Sequence, residues 1–307
     1  MVFTEDLSIS ALAPFSFELS AEIFRNGDAQ IRKYENGRFW QVIRVNHKLI
    51  RATVESCGTV DKPLLTVELK SNKKMTEADK KKVAEIVPGL FNLNFELKPF
   101  YEETKNDRII VQLTRKLCGL KSPTTQSAFE ALVDSIVEQQ ISLKVANSLE
   151  RKLIKKFGDA LNLDGEVYHA YPSAQALSSA SVAELRSVGL SQRKAEYIKN
   201  ASTLIAEGKL DLETLKTLEK AEDIIAELDK LKGVGVWTAE LTMLRGMQRL
   251  EALPADDLGL RRAMSHYYCG GKPISSSEAR EIAEGWGRWK GLAAYYLIVA
   301  EMLEIEP

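Results

Sequence analysis

Hydrophobic and polar residues alternate along the first third of the chain with the two-residue period of β-strands. The alternating stretches, rich in Val, Ile, Leu and Phe, cover residues 35–46, 49–56 and 63–71. The first of them contains Asn36-Gly37, a dipeptide typical of a tight turn between antiparallel strands. A charged helical pattern follows at residues 76–87. Together these patterns predict an antiparallel sheet with a helix packed on it.

Two further strands are predicted in the same region. Phe15, Phe17 and Leu19 are spaced two residues apart, which would place them on one face of a strand. The apolar run RIIVQL at residues 108–113 predicts a last strand before the pattern changes. Both segments are short, and their assignment depends on the apolar spacing alone.

The hydrophobic period becomes helical after the segment KSPTT at residues 121–125. Ser127 and Glu130 have the spacing of a capping box at a helix start. The apolar residues that follow at helical spacing are Phe129, Leu132, Val133, Ile136 and Val137. We therefore predict a domain boundary near residue 120, with a sheet domain at 1–120 and a helical region at 121–307.

The helical pattern continues to the end of the chain. Its first helix is predicted to end near Gln139-Gln140, and Ser142 is placed to cap a second helix that runs to Gly158. Further helical segments are predicted at residues 181–188, 192–207, 212–218, 221–231, 277–285 and 289–303. The predicted fold class is α+β, an N-terminal antiparallel β-sheet domain with helix followed by an all-α region.

Composition restricts the kinds of site that the chain could carry. The formal net charge is −1 and 45% of the 307 residues are hydrophobic, which supports a substantial core but not a strongly basic surface. Cys57, Cys118 and Cys269 form no CxxC pair, so neither an iron–sulfur cluster nor a structural zinc site is predicted. The unpaired cysteines and the lack of a signal peptide or transmembrane pattern predict a cytoplasmic protein, or a nuclear one in a eukaryote.

The segment LKGVGVWTAELTMLRGMQRLEALPADDLGLRRAM at residues 231–264 carries the candidate chemistry. Gly233-Val234-Gly235 lies between two predicted helices. Because glycine lacks a Cβ, backbone amides here can approach a phosphate closely, and the dipole of the following helix favours an anion. A tight helix–helix turn that binds nothing explains the same three residues equally well.

Two adjacent carboxylates, Asp256 and Asp257, follow Pro254 at the start of the next predicted helix. Aspartate at this position is commonly an N-cap. Neighbouring residues at a helix start point in different directions, so we expect one of the pair to cap the helix and the other to face a cleft. Trp237 follows the glycine hairpin. It could be a core residue or a stacking surface for a base, and its position in the sequence fits both interpretations.

Five pieces of the chain resemble, in order, the helix–hairpin–helix (HhH-GPD) superfamily of DNA glycosylases. They are EQQIS at 138–142, GLSQRKAEYI at 189–198, LKGVGVWTAE at 231–240, LPADDLGLRRAM at 253–264 and WGRWKGLAAYYL at 286–297. Together they are most similar to the branch of 3-methyladenine DNA glycosylases. The resemblance implies two helical subdomains with a cleft between them. It also implies a base excision repair enzyme that hydrolyses the N-glycosidic bond of alkylated purines flipped out of duplex DNA.

The resemblance implies a role for each matching residue. The family's essential aspartate lies in a D-x-x-[IL]-x-R motif, which here begins at Asp257, so Asp257 is expected to be catalytic and Asp256 to support it. Arg261 within this motif is expected to contact DNA. The branch that cleaves the DNA strand has a lysine where this chain has Trp237, and without that amine no Schiff base forms with the sugar. The expected product is therefore an abasic site, with Trp237 stacking on the base.

The resemblance also implies how DNA is held. The backbone of Gly233, Val234 and Gly235 is expected to bind DNA and to hold a monovalent cation that bridges to a phosphate, and no other cofactor is expected. Gln140 aligns with the residue that fills the gap left by a flipped nucleotide. The expected partner is double-stranded damaged DNA, with no membrane association and with the chain acting as a monomer.

The predicted base pocket differs from that of the branch. Aromatic residues of the relatives are replaced by Leu241, Leu258 and Ile298, which makes the pocket less aromatic. Two alternatives therefore stay open: a glycosylase for another lesion, hypoxanthine or an oxidised purine, and a non-catalytic helix–hairpin–helix DNA-binding protein. Other residues that could supply rings, although each also fits a core position, are Phe15, Phe17 and Tyr295.

Overall fold

The N-terminal region forms a five-stranded antiparallel sheet, as the sequence predicts. The computed structural model describes residues 1–306 of the chain. The strands are β1 (Phe3–Ser10), β2 (Arg32–Glu35), β3 (Arg38–Val45), β4 (Lys48–Ser56) and β5 (Leu64–Ser71). They lie in the order β1-β5-β4-β3-β2, and each neighbouring pair is antiparallel.

A tight turn and a capped helix shape this sheet. Asn36 and Gly37 both have positive φ, 51° and 78°, the conformation that joins β2 to β3 through a two-residue hairpin. Helix α2 (Glu77–Leu90) begins with a capping box between Thr76 and Asp79. Its apolar side packs on one face of the sheet and completes the N-terminal core. The predicted hairpin and helix are thus confirmed.

The two other predicted strands are wrong. The alternating segment that begins at Phe15 forms the short helix α1 (Phe17–Ala21), because the Ser16 hydroxyl caps its first turn. The RIIVQL segment lies in helix α4 (Arg108–Lys116), where the Asp107 carboxylate accepts hydrogen bonds from two amides of the first turn. In both cases a local cap outweighs a short apolar pattern that fits either structure.

The remainder of the chain is mostly helical. The helices, besides α4, are α3 (Lys98–Glu103), α5 (Ala128–Glu138), α6 (Leu143–Phe157), α7 (Ala174–Ser179), α8 (Val182–Arg186), α9 (Gln192–Ala206), α10 (Leu212–Leu215), α11 (Ala221–Asp229), α12 (Val236–Met247), α13 (Leu258–Cys269), α14 (Ser276–Ala283) and α15 (Lys290–Met302). A hairpin of β6 (Ala160–Leu163) and β7 (Glu166–His169) interrupts them and was not predicted. It packs on the sheet face opposite α2. No helix within residues 1–306 is long and apolar enough to cross a membrane.

Two separate hydrophobic cores organise the helices. The first contains residues from each of the helices α5 through α12, among them Leu132, Ile198 and Met243. The second joins α3, α4 and α13 to α15, and contains Phe100 and Tyr296. Because α12 belongs to the first core and α13 to the second, the connecting segment 248–257 passes from one core to the other. The domain boundary near residue 120 stays a prediction, since α3 and α4 precede it and pack in the second helical core.

Lys121 lies where the N-terminal core meets the helices and is fully buried. Its ammonium donates hydrogen bonds to the carbonyl oxygens of Leu12 at 2.8 Å and Leu93 at 3.0 Å, and lies 5.5 Å from the centre of the Phe15 ring. Burial lowers the pKa of Lys121 from its ordinary value of 10.5 to about 8. The side chain thus connects three segments of the N-terminal region, although burial makes its charged form less stable than it is in water.

Lys121 predicts a specific dependence of stability on pH. Between pH 8 and 10.5 the unfolded chain binds more protons at this lysine than the folded chain, so stability rises with pH across that window. Lys121→Met removes this contribution. Urea unfolding at pH 7 and pH 9.5 should show the wild type gaining about 2 kcal/mol relative to the variant. An equal stability difference at both pH values would contradict the burial of a charged amine.

Candidate functional site

The glycine hairpin of residues 233–235 connects α11 to α12 and leaves the start of α12 open. Gly235 is the N-cap residue of α12, and no side chain accepts from the first-turn amides. Val236, the first residue of the helix, is 45% exposed. Unpaired amides at an exposed helix start form a binding position for an anion such as a phosphate. The geometry therefore fits the phosphate-binding interpretation of Gly233, Val234 and Gly235.

The two glycines of the hairpin have different reasons to be glycine. Gly233 has a φ of 83°, and a Cβ there would lie 2.1 Å from the ring of Tyr197 on α9. Gly235 has a φ of −103°, and a Cβ there would meet no atom within 4 Å. The fold thus requires glycine at 233, whereas at 235 the missing side chain leaves open space above the helix start.

Gln139 connects the end of α5 to the hairpin, and sequence reasoning missed it. Its side-chain amide donates to the Gly233 carbonyl at 2.8 Å and to the Thr238 hydroxyl at 3.0 Å. The neighbouring Gln140 is exposed and has a φ of 55°. A polar residue in the left-handed region at an exposed turn projects away from the helices on both sides. Gln139 therefore anchors the turn that presents Gln140.

Asp257 is the N-cap of α13. Its Oδ1 accepts from the Leu260 amide at 2.8 Å, and its own amide donates to the Pro254 carbonyl at 2.8 Å. Within residues 1–306 no hydrogen-bond donor contacts its second carboxylate oxygen, and the residue is partly exposed. Asp256 is exposed and does not cap the helix. The expectation that one of the two aspartates caps the helix is thus confirmed for Asp257, and which of them faces a cleft stays a prediction.

The hairpin tryptophan belongs to neither of the two helical cores. Trp237 is partly buried on the first turn of α12, and its indole N–H is buried without a hydrogen-bond partner in the described chain. Leu241, one turn further along α12, is 5% exposed and belongs to neither core. Trp237 and Leu241 thus form an apolar surface outside both cores, with an unpaired indole N–H. Such a surface fits a ligand position better than a packed interior.

The other residues considered for the pocket are distributed unevenly. Leu258, directly after Asp257, is 70% exposed. Ile298 and Tyr295 are partly buried on α15, and the Tyr295 hydroxyl also has no partner within residues 1–306. Phe15 and Phe17 lie in the N-terminal core and supply no ring to the site. Tyr295 is therefore the aromatic residue besides Trp237 that stays a candidate for the pocket.

Arg245 on α12 joins the same region, and no sequence signal identified it. Its guanidinium pairs with Glu138 at the end of α5 at 2.6 Å. Burial opposes its charge, but the pKa of Arg245 is raised because the paired Glu138 outweighs burial, with smaller contributions from Asp134 and Asp257. The end of α5, α12 and the start of α13 thus share one electrostatic environment.

Arg261 is held more firmly than the sequence predicts. Its guanidinium donates to the Ile274 carbonyl at 3.3 Å, and its Nε is buried without a partner in the described residues. The following residue, Arg262, is exposed. Within residues 1–306 no group of three or more His, Cys, Asp or Glu side chains is placed to hold a metal ion. A DNA contact from Arg261 stays a prediction.

The hairpin predicts opposite outcomes for two matched substitutions. Gly233→Ala should destabilise the fold by about 2–4 kcal/mol, since it forces a positive φ on alanine and a methyl group into Tyr197. Gly235→Ala should leave the unfolding free energy within about 0.5 kcal/mol, yet weaken binding to duplex DNA by about tenfold because the methyl obstructs one charged hydrogen bond. Thermal unfolding and fluorescence anisotropy measure the two effects. A stable Gly235→Ala protein with unchanged DNA affinity would contradict the phosphate-binding role.

Comparisons with known proteins agree with this geometry. The family model described as "HhH-GPD superfamily base excision DNA repair protein" matches residues 133–288. A DNA-3-methyladenine glycosylase of Bacillus subtilis is 27% identical over 287 residues, which cover 92% of this chain and 94% of the relative. DNA-3-methyladenine glycosylase 2 of Escherichia coli is 27% identical over 183 residues, covering 60% of this chain and 61% of that protein.

A solved structure agrees over nearly the whole length. The 3-methyladenine DNA glycosylase of Archaeoglobus fulgidus superposes with a TM-score of 0.84 at 27% identity, covering 97% of this chain and 99% of that one. The superposition includes the N-terminal sheet as well as the helices. The family match includes parts of both helical cores, the glycine hairpin and the capping aspartate. The chain belongs to the HhH-GPD superfamily of base excision DNA repair proteins.

Proposed function

We propose that this chain is a monofunctional DNA glycosylase that removes alkylated purines from duplex DNA and leaves an abasic site. Three relatives that cover the sheet, the helices or both carry the name 3-methyladenine glycosylase, which supports the substrate class. The observation that carries the proposal is the free carboxylate oxygen of Asp257 at the start of α13. It lies across the core boundary from the hairpin that would grip the DNA backbone.

In the proposed mechanism the damaged nucleotide rotates out of the duplex into the cleft between the helical cores. The exposed Gln140 enters the gap left in the stack and offsets part of the unstacking free energy. The open amides at the start of α12 hold a phosphate near the flipped nucleotide. One protein copy supplies all of these groups, so we propose that a monomer is sufficient.

Trp237 would form one wall of the base pocket. N3- or N7-alkylation gives a purine a positive charge, and an indole face attracts such a cation by about 0.5–2 kcal/mol. The same charge weakens the glycosidic bond. Leu241 next to Trp237 on α12 adds apolar surface without an aromatic ring. The pocket thus depends on the single tryptophan, with Tyr295 as the remaining aromatic candidate.

Asp257 would act as the glycosidic bond breaks. The bonding electrons leave with the base, and positive charge develops on the sugar ring. An ionised carboxylate held at a fixed position stabilises that charge, because the protein has already oriented it. A water molecule then bonds to the anomeric carbon and loses a proton. We propose that the free oxygen of Asp257 accepts this proton.

The hairpin would also hold the monovalent cation that the family resemblance implies. The Gly233 carbonyl accepts from Gln139 and the Gly235 carbonyl accepts from the Ala239 amide, whereas the Val234 carbonyl has no donor within residues 1–306. Each carbonyl oxygen has a second lone pair, so all three fit as ligands of a hard cation. When bound, the ion would add positive charge opposite a DNA phosphate. No other cofactor is proposed.

Removal of the Asp257 charge should abolish base release without unfolding the protein. Asp257→Asn keeps a side-chain oxygen for the Leu260 amide, so the cap survives while the charge is lost. The single-turnover rate of 3-methyladenine release should fall at least about 100-fold, with affinity for duplex DNA nearly unchanged. Asp211→Asn, at the exposed N-cap of α10, is the matched control for a capping aspartate and should stay within about twofold of wild type. Near wild-type release by Asp257→Asn would overturn the assignment.

Trp237 in place of an amine predicts the form of the product. Duplexes that contain 7-methylguanine, 3-methyladenine, hypoxanthine or 8-oxoguanine should be incubated with the protein and divided into samples with and without alkali. We expect release of methylated purines, and strand cleavage only after alkali, because no Schiff base forms. Cleavage without alkali would reveal an amine that acts on the sugar. Exclusive release of hypoxanthine or 8-oxoguanine would replace the proposed substrate class.

A further inference from the structure

An ion pair between a buried glutamate and a half-exposed arginine joins α12 to α14, and neither the sequence motifs nor the proposed mechanism uses it. Glu240 on α12 is 3% exposed, although it is one turn from Trp237. Its two carboxylate oxygens accept from the guanidinium of Arg280 on α14 at 2.9 and 3.1 Å. A buried carboxylate is costly unless it is paired in such a two-pronged geometry. Arg280 thus fixes α14 to α12 in one relative orientation.

Arg280 also contacts the segment that leads to the aspartates. The same guanidinium donates to the Leu253 carbonyl at 3.2 Å. The Leu253 carbonyl accepts the Ala255 amide at 2.7 Å, and the Pro254 carbonyl accepts the Asp257 amide at 2.8 Å. Two overlapping backbone turns therefore lie between the carbonyl that Arg280 contacts and the N-cap residue of α13. We expect a shift of the Leu253 carbonyl to displace Asp257.

The charge of Asp256 belongs to the same cluster. Asp256 contributes to raising the pKa of both groups, after burial in the case of Glu240 and after the pairing with Glu240 in the case of Arg280. Burial raises the pKa of Glu240, while Arg280 opposes that rise. The Arg280 side chain is 41% exposed, and its position is therefore set by these partners more than by surrounding apolar packing.

We propose that Glu240 and Arg280 are positioning residues that hold Asp257 at its working distance from Trp237, an inference that rests on the function proposed above. Glu240 fixes the guanidinium to the helix that carries Trp237. Arg280 fixes the segment that carries Asp257. The Glu240–Arg280 pair, called the strut below, would thus connect the two cores near the place proposed for the reacting sugar.

A planar guanidinium is needed for this role. Its fork reaches both oxygens of Glu240 and the Leu253 carbonyl at once, whereas a lysine ammonium concentrates its charge at one point. Stability alone does not require the pair, since replacing a buried ion pair by apolar residues of similar volume is often neutral or stabilising. Apolar replacement therefore separates positioning from folding.

The test compares Arg280→Lys and the double variant Glu240→Leu/Arg280→Met with the wild type. Single-turnover release of 3-methyladenine should fall roughly 10- to 100-fold in both, because small displacements of a reacting group have effects of this size. Affinity for a duplex with a tetrahydrofuran abasic analogue should change by less than about threefold. The double variant should keep its melting temperature within about 4 °C of wild type. A folded double variant that releases the base at the wild-type rate would overturn the proposal.

Arg32→Lys is the matched control for loss of a buried guanidinium fork. Arg32 on β2 pairs with Glu130 at 2.8 Å and Glu150 at 2.7 Å, which belong to α5 and α6 and not to the segment that carries Asp257. This substitution should lower the melting temperature while leaving the single-turnover rate close to wild type. An equal loss of rate in Arg32→Lys would show that the Arg280 effect is general destabilisation.

Amide hydrogen exchange separates failure of this inference from failure of the proposed function. The Leu260 amide reports the Asp257 cap directly, whether or not any base is released. It should exchange at least about tenfold faster in Arg280→Lys than in wild type, since the cap opens more often. If the wild type releases no base but this acceleration is found, the proposed function fails and the strut survives. Unchanged exchange of the Leu260 amide in Arg280→Lys would overturn the strut, whether or not the wild type releases a base. If the double variant does not fold, the result for Arg280→Lys alone tests the proposal.

Discussion

The hydrogen bond between Asp257 Oδ1 and the Leu260 amide determines where the candidate carboxylate lies. A capping side chain is held by the helix that it starts, so the second oxygen has a fixed direction relative to α13. The positive end of the helix dipole favours the ionised carboxylate at this position. Gly259 leaves room for it, because a Cβ there would lie 3.1 Å from Oδ1. The residue that starts the helix thus also keeps a second carboxylate oxygen that has no hydrogen-bond donor within residues 1–306.

The boundary between the two helical cores exists because the chain changes cores between α12 and α13. The hairpin and Trp237 are carried by the first core, and Asp257 is carried by the second. The connecting segment is fixed on its way by the Gly291 amide, which donates to the Leu250 carbonyl at 2.7 Å, and by Arg280 at Leu253. Because each core is closely packed, we expect these two contacts to keep Asp257 at a nearly constant distance from the hairpin.

Local sequence signals were sufficient for much of the fold and for part of the site. The Asn36-Gly37 turn, the Thr76 cap of α2 and the Ser142 cap of α6 were predicted because each acts within a few residues. The two strands predicted near Phe15 and at residues 108–113 were wrong for the same reason, since Ser16 and Asp107 cap helices there. A short apolar run does not distinguish helix from strand, and a cap decides the outcome.

The groups that sequence reasoning missed all act over long separations. Gln139 contacts Gly233, Glu138 pairs with Arg245, and Glu240 pairs with Arg280, at separations of 94, 107 and 40 residues along the chain. No periodicity or motif connects such positions in one sequence. The sequence reasoning treated capping as an alternative to chemistry, and so did not foresee that Asp257, the proposed catalytic residue, is itself the N-cap of α13. In the structure the cap is what orients the carboxylate.

The account depends most on Asp257 stabilising positive charge on the sugar. A duplex with a pyrrolidine at one abasic position carries a positive charge where the reaction would create it, whereas tetrahydrofuran is a neutral mimic of similar shape. The account predicts that the wild type binds the pyrrolidine duplex at least about tenfold more tightly, and that Asp257→Asn removes this preference while binding the tetrahydrofuran duplex normally. Equal wild-type affinity for the two duplexes, or an undiminished preference in Asp257→Asn, would contradict it.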